Sequence, residues 1–322
     1  PFDLWGFIFL SIFLISFLLG VSKGEQEGWT STYIVTCAIL SVVSFILFLW
    51  VESLVENKVF DLDLFRYRNF SICMVISAIR SVVLFGGIFL LPLFLQQLMG
   101  LDEIQSGLIL LPGSLVVAMM LPIVGRLSDK SSPKLMSIFG LICLVIFMYM
   151  YRNINVSMSA WDIILPTLVR GVGMSFLMAP IMVLAVNSVP KNKTSMASAM
   201  LNIIQQIGGA VGIAALSTIL NNRLAFHLNV IGNDMNLNSP ALTGAMKNIA
   251  AHVHSLGYNQ YQSMLASKTI FSKHIYQSAA VSGFQDTFFI TTFVIAICIL
   301  PAFLLPNRTV QIHKKPEHTV ME

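Results

Sequence analysis

The chain has 322 residues, 56% of them hydrophobic and 11% charged, with a formal net charge of +4 and a mean hydropathy of +0.80. A water-soluble fold of this length cannot bury so much apolar surface, so the composition excludes an ordinary soluble domain.

Eight long apolar stretches follow one another along the chain: Leu4–Val21, Tyr33–Val51, Phe70–Leu95, Gly107–Val124, Leu135–Tyr151, Ile163–Val186, Met196–Leu220 and Phe288–Leu305. Crossing a hydrocarbon core of about 30 Å takes about 20 residues of helix, and each stretch is close to that length. The expected fold class is all-α, a polytopic membrane protein of about eight transmembrane helices. None of the stretches contains an acidic residue.

In chain order, Pro1-Phe2-Asp3 leads directly into the first span, without an initiator Met, a charged n-region or a small-residue cleavage site. This is no signal peptide, and it suggests a chain joined mid-protein. Residues 1–51 form two spans linked by a polar turn from Ser22 to Trp29. Residues 52–69 form a cytoplasmic connector, whose Phe60–Arg66 segment alternates apolar and charged residues as an interfacial segment does. Residues 70–306 carry six further spans, interrupted by one long connection over 221–285. Within it, Pro240–Leu256 and Tyr258–Val281 have apolar residues at helical spacing around Gly257, which predicts an external helical hairpin. Residues 307–322 are a short basic tail.

Basic residues orient the chain. With a cytoplasmic amino terminus, the inner segments hold Lys58, Arg66, Arg68, Arg126, Lys130, Lys134, Lys191, Lys193, Arg308, Lys314 and Lys315, and the short outer loops hold Lys23 and Arg152. The positive-inside rule then places both ends in the cytoplasm. Trp5, Trp29, Trp50 and Trp161 fall near span ends, where indoles favour the water–lipid boundary. Cys37, Cys73, Cys143 and Cys298 lie in spans without a CxxC pair and read as small core residues.

Several positions carry possible chemistry. Gly125-Arg126-Leu127-Ser128-Asp129-Lys130 lies in the inner turn between spans four and five. Gly125 permits a close turn, and Arg126, Asp129 and Lys130 supply charges that can latch one conformation, the bland alternative being an ordinary charged turn. Arg80 and Arg170 lie inside spans, where a cation costs at least about 2.5–3.5 kcal/mol and faces the protein interior or a watery cavity. Each is either a cavity-lining group or a structural arginine bonded to helix carbonyls. Asn202, Gln205 and Gln206 recur on one face of span seven, either bonding a neighbouring helix or lining a pathway. Gly171, Gly173, Gly208, Gly209 and Gly212 allow close helix packing. His252 and His254 lack the remaining ligands of a metal site, and no nucleophile triad, phosphate loop or nucleic-acid patch is present, so neither an enzyme nor a nucleic-acid partner is expected.

The Gly125–Lys130 string resembles the signature loop of the major facilitator superfamily. The chain as a whole resembles the fourteen-span drug:proton antiporters of the EmrB/QacA type. The matching strings are Pro1-x-Asp3-x-x-Gly6, Gly24-x-x-x-Gly28-Trp29, Leu64-Phe65-Arg66-x-Arg68-Asn69-Phe70, Leu91-Pro92-Leu93-x-Leu95-Gln96, Gln105-Ser106-Gly107, Leu111-Pro112, Arg170-Gly171-x-Gly173 and Gln206-x-Gly208-Gly209-x-x-Gly212. It departs at Ser132-Pro133, where the family usually has a glycine and a second base, and at Gln205-Gln206, where it often has Arg-Gln.

The resemblance implies the two extra central helices plus the carboxy-terminal six-helix bundle, without the amino-terminal six spans. It further implies multidrug efflux by alternating access in a bacterial cytoplasmic membrane, driven by a proton gradient without a cofactor. Implied partners are a small hydrophobic substrate, the bilayer and the amino-terminal transporter half, and the long connection adds a periplasmic adaptor. Two other readings stay open: an exporter of one endogenous metabolite, or a non-transporting membrane scaffold fragment. All fifteen acidic residues and all six histidines fall outside the apolar stretches, so the proton carriers are expected in the other half and no coupled transport from this chain alone. Labelling Lys130→Cys and Asn259→Cys with a membrane-impermeant thiol reagent is expected to place them on opposite sides of the membrane, and labelling from one side contradicts the topology.

Overall fold

A computed structural model describes residues 4–54, 62–128, 131–234 and 240–307. The helices are α1 Leu4–Glu27, α2 Thr32–Leu54, α3 Arg68–Gln97, α4 Glu103–Ser128, α5 Pro133–Met150, α6 Ala160–Asn187, α7 Thr194–Asp234, α8 Pro240–Ser255, α9 Gln260–Ile297 and α10 Ile299–Ala302. Single 3-10 turns cover Leu62–Arg66, Tyr151–Asn153 and Lys191–Lys193, and the described residues include no strand. Eight of the helical segments are long and apolar enough to cross a membrane. Lipid offers the backbone no hydrogen-bond partners, so helices that satisfy their own N–H and C=O groups are what such sequences form. Several hydroxyls inside the spans are also satisfied by their own helix: Ser81 donates to the Ser77 carbonyl at 2.8 Å and Thr291 to the Thr287 carbonyl at 2.6 Å.

Helix starts are set locally. The Ser132 hydroxyl accepts from the Leu135 N–H ahead of Pro133, and the Asp162 carboxylate accepts from the Ser159 N–H at 2.9 Å. Between α8 and α9, Gly257 takes a φ of +96°, a left-handed value that suits glycine, and the Asn259 side chain then caps α9 by accepting from the Gln262 N–H.

The bundle consists of α3 to α7 and α9. The closest pairings are α3 with α7, α4 with α6, α5 with α6, and α7 with α9, while α1 and α2 pair with each other and touch the bundle through α1 and α7. An aromatic cluster ties α3, α5 and α9 together: Phe94 meets Phe284 at 5.3 Å, Phe147 meets Tyr151 at 5.4 Å, and Tyr151 meets Phe288 at 5.1 Å between ring centroids. The Tyr151 hydroxyl, fully buried, donates to the Ile163 carbonyl at 2.7 Å and brings in α6. All four tryptophans are exposed, as side chains at a lipid–water boundary are.

Two boundaries differ from the sequence reading. The helices outrun the apolar stretches, so Glu52 lies within α2, His227 within α7 and Asp286 within α9, instead of in loops or at span ends. A helix can continue into water once its spanning portion and its neighbours hold it. The expected helical hairpin around Gly257 is present as α8 and the outer half of α9, packed on each other, but its second arm is continuous with the last span and residues 221–234 prolong α7. In the connector, Leu64 of the Leu62–Arg66 turn is fully buried beneath α3, whereas Phe60 and Asp61 lie outside the described residues. The basic tail from Arg308 also lies outside them.

The crossing of α5 and α6 depends on glycine. A Cβ on Gly173 would sit 2.9 Å from both the Gly140 carbonyl oxygen and the Cys143 Cβ, whereas a Cβ on Gly107 of α4 meets nothing within 4 Å. Gly173→Leu is therefore expected to lower stability by about 1–3 kcal/mol, with a lower melting temperature in detergent, and Gly107→Ala to leave it unchanged.

Candidate functional site

Arg80 and Arg170 are both inside the bundle. Arg80 on α3 is 3% exposed and Arg170 on α6 is 8% exposed, and the Nε of each is buried without a hydrogen-bond partner. The Arg170 guanidinium lies 5.8 Å from the Phe147 ring centroid, within cation–π range, and its stem runs alongside Gly87 of α3. Arg170 thus sits where α3, α5 and α6 converge.

The α7 amides are elsewhere. Asn202 and Gln206 are exposed and Gln205 is half-buried. Gly208 and Gly212 press against α3: a Cβ at either would come within 2.6 Å of α3 backbone atoms, the Ala78 oxygen and the Val82 Cα, while Gly209 lies against the Phe85 ring. At 3.6 residues per turn, two positions differ by about 200° around the axis, so seating Gly208 on α3 turns Gln206 to the opposite side. Gly171 likewise lies against α4, where its Cβ would be 2.6 Å from the Gly113 oxygen. The structure does not bring the amides and the arginines into one constellation.

In the inner turn, Gly125 is open to its surroundings and Arg126 is exposed, whereas Asp129 and Lys130 lie outside the described residues. On α4, Ile104, Leu108, Leu111, Leu115, Met119 and Ile123 form an exposed apolar stripe at spacings of three and four. A cavity of about 620 Å³ opens between α1, α3, α7 and α9, walled by Phe89, Leu93, Gln97, Ser217, Asn221 and Phe284 among others, and its lining among the described residues holds no charged side chain.

One charged cluster escaped the sequence reading. His227 Nε2 and Asp286 Oδ2 are 2.9 Å apart, and Arg223 Nε lies 3.8 Å from the same oxygen. The i, i+4 spacing of Arg223 and His227 was visible, but Asp286 is 59 residues on from His227, and only the antiparallel pairing of α7 with α9 joins them. Side-chain amides fix α9 at this level: Gln285 donates to the Ile154 carbonyl at 2.8 Å and Gln277 to the Leu98 carbonyl at 3.1 Å.

The sequence profile of the Major Facilitator Superfamily matches residues 4–213. The chain belongs to that superfamily. It is 34% identical over 318 residues to the uncharacterized MFS-type transporter YhcA of Bacillus subtilis (strain 168), covering 97% of this chain and 59% of YhcA. It is 27% identical over 242 residues to the multidrug export protein EmrB of Haemophilus influenzae, covering 74% of this chain and 48% of EmrB. The chain therefore spans about half the length of these relatives. The fold matches the crystal structure of a bacterial homolog of the human lysosomal transporter Spinster, in an inward-facing and unoccupied conformation, with a TM-score of 0.54 and 17% identity over 87% of this chain and 59% of that one. The chain is thus a multi-pass membrane protein of a transporter family.

A buried cation whose Nε is unpaired contributes little to folding, and an apolar isostere is often neutral or stabilising in such a place. Arg170→Met is expected to hold or raise the melting temperature in detergent. A large fall would show that Arg170 is needed for the bundle itself.

Proposed function

We propose that the chain is part of a proton-coupled exporter of hydrophobic drugs or toxic compounds in a bacterial cell membrane, working by alternating access together with a second six-helix bundle. The observation that supports this best is the likeness to EmrB, a multidrug export protein, across a bundle whose inner turn, Arg-Gly-x-Gly string and α7 glycines fall in family order. The fit to a second bundle comes from the exposed stripe on α4 and the outward amides of α7, which one bundle alone leaves without a protein partner. Transporters of this kind hold their substrate between two bundles related by an axis along the membrane normal.

In this reading, Asn202 and Gln206 line the pathway and offer neutral hydrogen bonds to an apolar substrate. The glycine faces of α7 and α6 let helices pack closely and slide, and Arg126, Asp129 and Lys130 latch the inner turn. Arg170 is a fixed positive charge within the bundle that disfavours stray protons. A proton gradient supplies the energy and no cofactor takes part. A periplasmic adaptor meeting the outer ends of α7, α8 and α9 belongs to the same proposal.

Efflux of a lipophilic cationic dye from energised proteoliposomes tests it. The chain alone is expected to give no gradient-driven efflux. Co-expressed with an amino-terminal bundle of the EmrB type, it is expected to give efflux that a protonophore abolishes and that Arg170→Ala largely removes while Arg170→Lys retains in part. Robust efflux from the isolated chain, or none from the combined form at normal expression, contradicts the proposal.

A further inference from the structure

The Arg223–His227–Asp286 cluster joins two bundle helices at the level of the Ile154 loop, the face that the basic-residue asymmetry assigns to the outside. We propose that His227 and Asp286 form a proton-binding site at which protonation of the imidazole tightens the clasp between α7 and α9. This goes beyond the export reading and holds or fails independently of it.

The geometry supplies the parts. With a neutral imidazole protonated on Nε2, that N–H donates to Asp286 Oδ2 across the 2.9 Å gap. A second proton, taken up on Nδ1, makes the imidazolium, and the hydrogen bond to the carboxylate becomes a hydrogen-bonded ion pair, with Coulomb attraction added to it. No bond other than N–H forms, and the proton comes from water. The pair is not sealed inside the bundle: the His227 and Asp286 side chains are 23% and 37% exposed and lie beyond the apolar stretches of α7 and α9. Imidazoles change charge between about pH 5 and 8, the range that an outer membrane face meets.

The surroundings set the balance. From α7, Arg223 faces the same carboxylate oxygen at 3.8 Å, too far for a hydrogen bond but close enough to oppose a second positive charge. From the Tyr151–Asn153 turn that packs on α9, Arg152 stacks over Phe289 and over Tyr149 of α5 and donates to the Tyr149 hydroxyl. Asp286 is thus the carboxylate that both Arg223 and His227 of α7 address. Beyond the pair, Leu228 of α7 shares a groove with Ser272 and Lys273 of α9, so the two outer segments run side by side and a looser clasp frees both.

Double electron–electron resonance between nitroxides on Asn229→Cys and His274→Cys reads that separation, in the full chain in nanodiscs with the four native cysteines replaced by alanine. The distance distribution is expected to be narrow at about pH 5.5 and distinctly broader at about pH 8.5. His227→Gln and Asp286→Asn, each of matched size, are expected to remove the difference, and Arg223→Gln to keep it. Because His227→Gln conserves shape and hydrogen bonding, its monodispersity on gel filtration separates loss of the switch from loss of the fold. An unchanged distribution across this range in the parent overturns the proposal. So does a pH response that survives in a folded His227→Gln variant, or one that disappears only with Arg223→Gln.

Discussion

The contact on which the arrangement depends most is the backbone approach of α7 to α3 at Gly208 and Gly212. A side chain at either would fall 2.6 Å from α3 backbone atoms, so these helices meet at a distance only glycine permits. Apolar side chains gain little by leaving lipid for protein, so close packing and interhelical hydrogen bonds hold such helices together. The contact also fixes rotation. With Gly208 seated on α3, the outward direction of Asn202 and Gln206 follows from helix geometry. The same helix continues to Asp234, so its outer part carries Arg223 and His227 towards α9.

A second consequence of lipid as solvent is that polar groups in the bundle are settled locally. Several buried hydroxyls return to carbonyls one turn back, as with Ser175 on Gly171 at 2.9 Å and Thr287 on Gly283 at 2.7 Å. The Ser106, Ser128 and Ser137 hydroxyls and the Arg80 and Arg170 Nε atoms are buried without such a partner. Arg170 has the face of Phe147 beside its guanidinium. A cation is costly at such depth, and the proposed export function is what would give Arg170 a reason to be kept there.

Much of the architecture was legible in the sequence because a helix crossing lipid needs a long apolar run. The eight spans follow from that requirement, while the break at Gly257 and the packing glycines were legible from glycine's backbone freedom and its missing side chain. The ends of the long helices were not legible. Where α7 and α9 leave the bilayer, helix propensity and mutual packing take over from hydropathy, and nothing in the composition of 221–234 marks a stop. That is why hydropathy puts His227 and Asp286 outside the spans. The spacing of Arg223 and His227 showed one side of the cluster, but its partner became evident only once α9 lay antiparallel to α7. The amides were visible as a face, but which way that face points needed the glycines' partner, α3.

The proposed pathway along the Asn202–Gln206 face of α7 is most directly tested by photo-crosslinking with a lipophilic cation that carries a diazirine, in proteoliposomes of the chain combined with an amino-terminal bundle, followed by peptide mapping. Adducts at Asn202, Gln206 and their outward neighbours, competed by unlabelled cation, are the predicted result. Adducts confined to α1 and α2, or labelling of α7 that competitor does not reduce, would contradict it.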